Sequence, residues 1–265
     1  GISFGEAAAP MSIQFQIKEP QMSSDEILEL PEKIAKDRGI KIVICIDEFQ
    51  QIGEFNNPRA FQANLRAKWQ LQQNVSYCLF GSRRHMMIEV FGKSSMPFYK
   101  FGAVYFLEKI DEAFWPDFII REFSKTGKTI NREQCKEIVS LVDNNPYYVQ
   151  QLSQLVWFHT IDSPCSNEII HEAFEDLLRQ LGELNRALTL TLTIPQQNLL
   201  HAMVNKERSL SSRETMSRYG LKSTTEISRA RKALVSMDIL DDFGKIYSFE
   251  DPVYEYWLKN VFFAK

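Results

Sequence analysis

Lys41-Ile42-Val43-Ile44-Cys45-Ile46-Asp47-Glu48 is the stretch on which the fold turns. Five apolar residues in succession, closed by two acids, predict a central strand of a parallel sheet, buried on both faces. Val75-Ser76-Tyr77-Cys78-Leu79-Phe80 predicts a second buried strand, stopping at Gly81-Ser82. Phe61, Leu65 and Trp69 recur at helical spacing over 58–73, so a helix joins the two strands. A shorter third strand is expected at 103–107 (Ala103-Val104-Tyr105-Phe106-Leu107). Strand, helix, strand, polar loop, strand is the order of an α/β domain with a parallel sheet. Upstream, Ser24-Asp25-Glu26-Ile27 opens a helix with Ile27, Leu30 and Ile34 on its apolar face, ending before Gly39. The alternation Ser12-Ile13-Gln14-Phe15-Gln16-Ile17 reads either as an edge strand or as a lead-in without regular structure.

Beyond Leu107 the periodicity becomes purely helical, over 112–124, 132–142, 146–160 and 167–184. From Leu188 the texture changes again. Thr193-Ile194-Pro195 starts one helix, Ser211 or Ser212 caps a second, and Ser223-Thr224-Thr225 caps a third running through Met237. Residues 239–249 then form a hairpin around a polar turn, and three helices followed by a hairpin make a winged helix. The expected organisation is an α/β part over 1–107, an all-α part over 108–187 and a winged helix over 188–265.

The 265 residues carry 31 Lys+Arg against 34 Asp+Glu, a net charge of −3, with 44% hydrophobic residues. Such a balance excludes disordered and collagen-like chains. No run approaches the ~18 apolar residues of a membrane span, so a soluble, cytoplasmic protein is expected. Residues 186–265 hold 12 Lys+Arg and 9 Asp+Glu, or +3, which leaves −6 for residues 1–185. Cys45, Cys78, Cys135 and Cys165 contain no C-x-x-C pair, which argues against a zinc site or a disulfide framework. Cys45 and Cys78, inside apolar runs, are expected to be buried.

In open parallel sheets, ligands bind beyond the carboxyl ends of the strands, which is where Asp47 and Glu48 stand. Adjacent residues of a strand project to opposite sides, so two acids can divide two tasks. One can hold Mg²⁺, and the other can orient and polarise a water. The competing reading is a helix cap or a solvated strand end. Ser82, Arg83 and Arg84 at the end of the second strand tip the balance, since hydroxyl and guanidinium groups suit phosphate chemistry.

These residues resemble a known family. Lys41 to Gln50 looks like the Walker B motif of the archaeal-type ATPases, AAA+/STAND members of the P-loop NTPases, and Cys78-Leu79-Phe80-Gly81-Ser82-Arg83-Arg84-His85-Met86-Met87 resembles their next strand and sensor segment. Met96-Pro97-Phe98-Tyr99-Lys100-Phe101-Gly102, Asn145-Pro146-Tyr147-Tyr148-Val149-Gln150-Gln151-Leu152, Leu192-Thr193-Ile194-Pro195-Gln196 and Phe249-Glu250-Asp251-Pro252 are further landmarks in the same order. The resemblance runs from about Ser24 onward. It implies a partial P-loop NTPase sheet, a helical lid and a winged helix, with ATP and Mg²⁺ as ligands of the intact protein. It gives Asp47 to the metal, Glu48 to the attacking water and Ser82 to the sensor position. Arg83 or Arg84 would reach the γ-phosphate or a neighbouring subunit, with a surface ion pair as the alternative. Asn145 and Pro146 fall near the adenine, with Asn144 where the family's turn has Gly.

The family's phosphate cradle is missing from the sequence. No G-x-x-x-x-G-K-[ST] run occurs, and Gly127-Lys128-Thr129 has Glu122 where the first Gly is required and a helix where a strand should precede. That tripeptide is expected to be a loop between lid helices. The chain therefore reads as a fragment lacking the Walker A part, with natural loss in a degenerate protein as the alternative, and is expected neither to hold ATP and Mg²⁺ stably nor to hydrolyse ATP by itself.

In the winged helix, the recognition helix presents Arg229, Arg231 and Lys232, with Ile227, Ala230, Leu234 and Met237 toward the core. The cations suit phosphates, while Glu226 and Asp241-Asp242 oppose them. Duplex DNA and a protein surface are the two candidate partners. The expectation for the intact protein is an ATP-driven regulatory switch. A DNA-binding protein or an interaction module on a degenerate NTPase scaffold is the alternative.

Overall fold

The computed structural model describes residues 23–161, 164–242 and 247–264; the alternation at 12–17 and the hairpin tip at 243–246 lie outside them. The chain divides into two compact units between Val104 and Tyr105.

The first unit opens with α1 (Ser24–Arg38). Its cap is a reciprocal box, in which Glu26 N–H donates to Ser23 Oγ (3.3 Å) and Ser23 N–H to the Glu26 carboxylate (2.8 Å). Gly39, at φ 63°, ends it in the left-handed conformation that glycine adopts without steric cost. The strands β1 (Ile42–Ile46) and β2 (Val75–Leu79) flank α2 (Pro58–Trp69), and α3 (Arg84–Gly92) follows. The two strands pair in parallel, from Ile42 opposite Val75 to Ile46 opposite Leu79.

Several expectations about this unit are corrected. Among the described residues, the sheet is covered on one face only. Ile46, Tyr77 and Leu79 pack against Phe49, Ile52, Leu65, Trp69, Val90 and Phe98, whereas Val43 is 67% exposed and Cys45 and Cys78 are exposed. A short apolar run specifies a strand, but not how many of its faces find a cover. Residues 103–107 form no strand. Neither described strand pairs with them, and Leu107 is 95% exposed. A strand needs a neighbour to take up its backbone groups. The inner face of α1 carries Glu32 and Ala35, while Ile27 is exposed. Glu32 tolerates burial because its carboxylate accepts from Asn74 N–H (2.9 Å) and Nδ2 (3.0 Å).

At the middle of this unit sits Phe98, fully buried, from the Met96–Gly102 landmark. Its ring meets Phe49 edge-on at 5.5 Å, Phe101 edge-on at 5.1 Å, and Trp69 and Phe91 at 5.8 and 5.7 Å. Offset and edge-on aromatic pairs add to the burial of their area.

The second unit begins with α4 (Trp115–Ser124), α5 (Arg132–Leu141), α6 (Pro146–His159) and α7 (Asn167–Thr191). The last was expected to stop at Leu184. It continues because Asn185 and Thr189 occupy its inner face, and the Thr189 hydroxyl lies 2.8 Å from that of Tyr254, so the buried stripe carries on through polar residues. Gly127-Lys128-Thr129 is the loop between α4 and α5. Lys128 Nζ lies 4.0 Å from the Trp157 ring centroid and donates to the Trp157 carbonyl (2.6 Å). Trp115 and Trp257 are buried in the core, while Trp157 is half-buried.

Then come α8 (Ile194–Val204), α9 (Arg213–Arg218), α10 (Thr224–Ser236), β3 (Leu240–Asp241), β4 (Ser248–Phe249) and α11 (Pro252–Trp257). The strands β3 and β4 pair antiparallel as the wing. Ile227, Ala230 and Leu234 are buried on α10, but Met237, which caps the helix, is exposed. One apolar cluster runs through this unit, from Trp115 to Leu258. Among the described residues, no helix is long and apolar enough to cross a membrane.

Candidate functional site

Beyond the ends of β1 and β2 the backbones remain laced together. Phe80 N–H donates to the Ile46 carbonyl (3.1 Å) and Phe49 N–H to that of Phe80 (3.0 Å). This lacing sets Asp47-Glu48 beside Gly81-Ser82. The Ser82 hydroxyl lies 3.1 and 3.2 Å from the two carboxylate oxygens of Glu48 and donates to them. Two residues 34 positions apart in the sequence thus meet at the carboxyl end of a parallel sheet, where such sheets hold ligands.

Glu48 sits at φ 49°, ψ 39°, in the left-handed region. For a side chain with a Cβ this costs roughly 1–2 kcal/mol. The 3₁₀ turn that follows (Phe49–Glu54) is anchored by buried Phe49, Gln50 and Ile52, which holds the chain in this conformation. Strain of this kind concentrates where a side chain must be aimed. Asp47 is exposed, and its Oδ1 accepts from the Glu48 N–H (2.8 Å).

Two residues to which the sequence reading gave no role complete the arrangement. Gln50 is buried, and its Nε2 donates to the Glu48 carboxylate. Gln50 Oε1 has no hydrogen-bond partner among the described residues. Gly81 makes room for this amide: a Cβ there would fall 1.8 Å from Gln50 Oε1. The only sequence signal was a polar residue directly after Asp-Glu-Phe and a glycine before Ser82.

Arg83 lies at the N-cap of α3, with its guanidinium 3.9 Å from Glu54 and 3.8 Å from the Met86 sulfur. Asp47, Glu48 and Ser82 offer only hard oxygen donors, the chemistry that suits Mg²⁺. No group of three metal-binding side chains occurs among the described residues, so such an ion would rest on one or two carboxylates plus its ligand's own oxygens.

In the second unit, Asn145 caps α6 through its Oδ1, which accepts from Tyr147 N–H (3.1 Å) and Tyr148 N–H (3.4 Å), with Pro146 at the first helical position. Asp143 and Asn144 both have positive φ, 48° and 55°. Asparagine tolerates this region better than most residues, so Asn144 supplies the turn that Gly would give. It is also fixed in place, accepting from Trp115 Nε1 (2.5 Å) and donating to the Ile110 carbonyl (2.7 Å). On α10, Arg229 and Lys232 are exposed, while the Arg231 guanidinium lies over the Tyr247 ring at 4.7 Å. The three cations therefore do not share one surface. Asp251 caps α11 and accepts from the Tyr148 hydroxyl (2.5 Å), joining the wing end of this unit to α6.

Residues 184–260 match the family described as a probable winged helix domain. No curated relative matches the sequence. Among solved structures, a Walker-type ATPase of Pyrococcus abyssi superposes with a TM-score of 0.65 at 15% identity, over 94% of this chain and 72% of that one. Two variants of Thermotoga maritima RuvB superpose at TM-scores of 0.44 and 0.43. Their identities are 13% and 14%, over 91% and 89% of this chain and 96% and 95% of theirs. At such identities the likeness is one of fold. The chain has a helix-rich α/β fold with a parallel sheet, similar to that of Walker-type ATPases, and a winged-helix domain over residues 184–260.

Proposed function

We propose that the chain carries the metal-and-water side of an ATP site in a regulatory switch of the AAA+/STAND class. The observation that supports this most is the meeting of Glu48 and Ser82 at the carboxyl end of the parallel sheet. On this reading the ATPase core is 1–107, the lid 108–187 and the winged helix 188–265. Asp47 holds Mg²⁺, which when bound offsets the charge of the phosphates. Glu48 accepts hydrogen bonds from Ser82 and Gln50, which leaves its carboxylate aimed and ready to orient a water. Ser82 senses the terminal phosphate through the hydroxyl it otherwise spends on Glu48, and Arg83 supplies positive charge beside it. Asn145 and Pro146 stand near the adenine. The Asn145 side chain accepts from the first N–H groups of α6. ATP and ADP would bias the switch by contacting core and lid differently.

The phosphate cradle is not among these 265 residues. Backbone amides and a Lys normally offset the triphosphate, and without them Asp47 and Glu48 repel it. The purified chain with Mg·ATP is therefore expected to show no turnover above buffer, and Glu48→Gln no further loss. Robust turnover that disappears in Glu48→Gln would overturn this account of the missing cradle.

A second reading makes the winged helix a DNA reader, favoured by exposed Arg229 and Lys232 on α10. Two phosphate contacts give a salt slope near −1.8, or roughly a tenfold loss of affinity between 50 and 200 mM salt. Duplex binding that falls about tenfold over that range, and is lost in Arg229→Ala/Lys232→Ala, would establish it. Failing that, the winged helix serves a protein contact.

A further inference from the structure

The face of the sheet that the described residues leave exposed carries a feature that the nucleotide reading does not use. Cys45 and Cys78 are register partners on β1 and β2. Both are exposed, and Val43 and Ser76 precede them in register on the same face. Paired residues on adjacent strands have Cα atoms about 4.8 Å apart, inside the ~4.4–6.8 Å range that a disulfide spans. Side chains at paired positions also project to the same side. The other two cysteines, which lie close enough to influence each other, differ in being buried. Cys135 and Cys165 are buried in the second unit, and burial pushes the Cys135 thiol up to about 12 and raises that of Cys165. At neutral pH they stay protonated and unreactive.

We propose that Cys45 and Cys78 form a vicinal dithiol, a modification site that exchanges with low-molecular-weight disulfides and closes to a cross-strand bond. The sulfur of one cysteine attacks the small disulfide, breaking its S–S bond and releasing one small thiol. A mixed disulfide remains on the protein. The second cysteine then attacks the protein-bound sulfur and expels the second small thiol. Two protein thiols are oxidised to one disulfide, the small disulfide is reduced to two thiols, and the two protein protons end on them. The bond would tie β1 to β2 just before Asp47 and Ser82, fixing the register that brings Glu48 to Ser82. It does not depend on whether a nucleotide binds there.

The test is incubation of the folded chain with oxidised glutathione, followed by mass spectrometry of intact protein and of peptides. The expected product has lost two hydrogens, carries no glutathione and yields a Cys45–Cys78 cross-linked peptide, with Cys135 and Cys165 still free thiols. Cys45→Ser and Cys78→Ser should each retain one glutathione per chain, because the second attack is removed. Persistent glutathione on the unsubstituted chain, cross-links to Cys135 or Cys165 or between chains, or absence of reaction would each overturn the proposal. Substitution of these exposed positions by Ser removes no packed side chain, so failure to fold does not obscure the result.

Discussion

Phe98→Ala is expected to destabilise the first unit by about 3–5 kcal/mol, the usual cost of emptying a buried phenylalanine site. Phe98 is the aromatic core's fully buried centre, touching Phe49, Trp69, Phe91 and Phe101, so no single neighbour can collapse into the space. A loss of this size is a large share of the roughly 5–15 kcal/mol that holds a domain folded. Phe49 opens the turn after Glu48, so the site would loosen with the core. The apolar clusters of the two units are separate, and the loss should therefore stay local. Hydrogen exchange resolved by peptide is the measurement: residues 42–101 should lose protection and residues 115–258 keep it. Equal loss in both units would show that the two clusters do not fold independently.

Gly81→Ala is the second large effect, and it reaches the site directly. A Cβ at position 81 would meet Gln50 Oε1 at 1.8 Å and Cδ at 3.0 Å, and Met87 Sδ lies at 3.4 Å behind it. The end of the Gln50 side chain must shift, which disturbs its hydrogen bond to Glu48. Overpacking of this kind costs about 1–3 kcal/mol. The cause is separable from a general intolerance of alanine by a double-mutant cycle. In a Gln50→Ala background the amide is gone, and Gly81→Ala should then cost less than half as much in urea denaturation. An undiminished cost would place the clash elsewhere.

The comparison of β1 with α7 shows where sequence reading works and where it stops. Ile42–Ile46 and Val75–Leu79 declared themselves by apolar runs ending in polar residues, and their parallel pairing followed from the helix between them. The convergence of Glu48 with Ser82 was implicit in that pairing, because parallel strands bring their carboxyl ends together. Periodicity could not reveal which face of the sheet is covered, since both faces of a five-residue apolar run look alike. Buried polar residues defeated it elsewhere. Glu32 hides in α1 because Asn74 satisfies it, and Asn185 and Thr189 carry the inner face of α7 past the expected stop. Gln50 and Gly81 were illegible for a further reason: a 3₁₀ turn folds an amide back over two residues with no repeating pattern to announce it.

Asp47 and Glu48 differ in their surroundings, and the difference supports giving them different tasks. Asp47 is exposed and bonded only to the next backbone N–H among the contacts resolved around it. Glu48 is held by a hydroxyl and an amide from two different elements. A metal ligand exchanges water and needs access, whereas a group that orients a water needs a fixed direction. That difference supports the proposed assignment of Asp47 to the cation and Glu48 to the water.

Paramagnetic broadening by excess Mn²⁺ in place of Mg²⁺, which registers even a weakly held ion and needs no bound ATP, measures the location of the cation directly. The account predicts that backbone amide signals of residues 46–50 and 80–83 broaden first, and that the effect disappears in Asp47→Ala while Arg229→Ala leaves it unchanged. Broadening centred on other residues, or unaltered in Asp47→Ala, would contradict it.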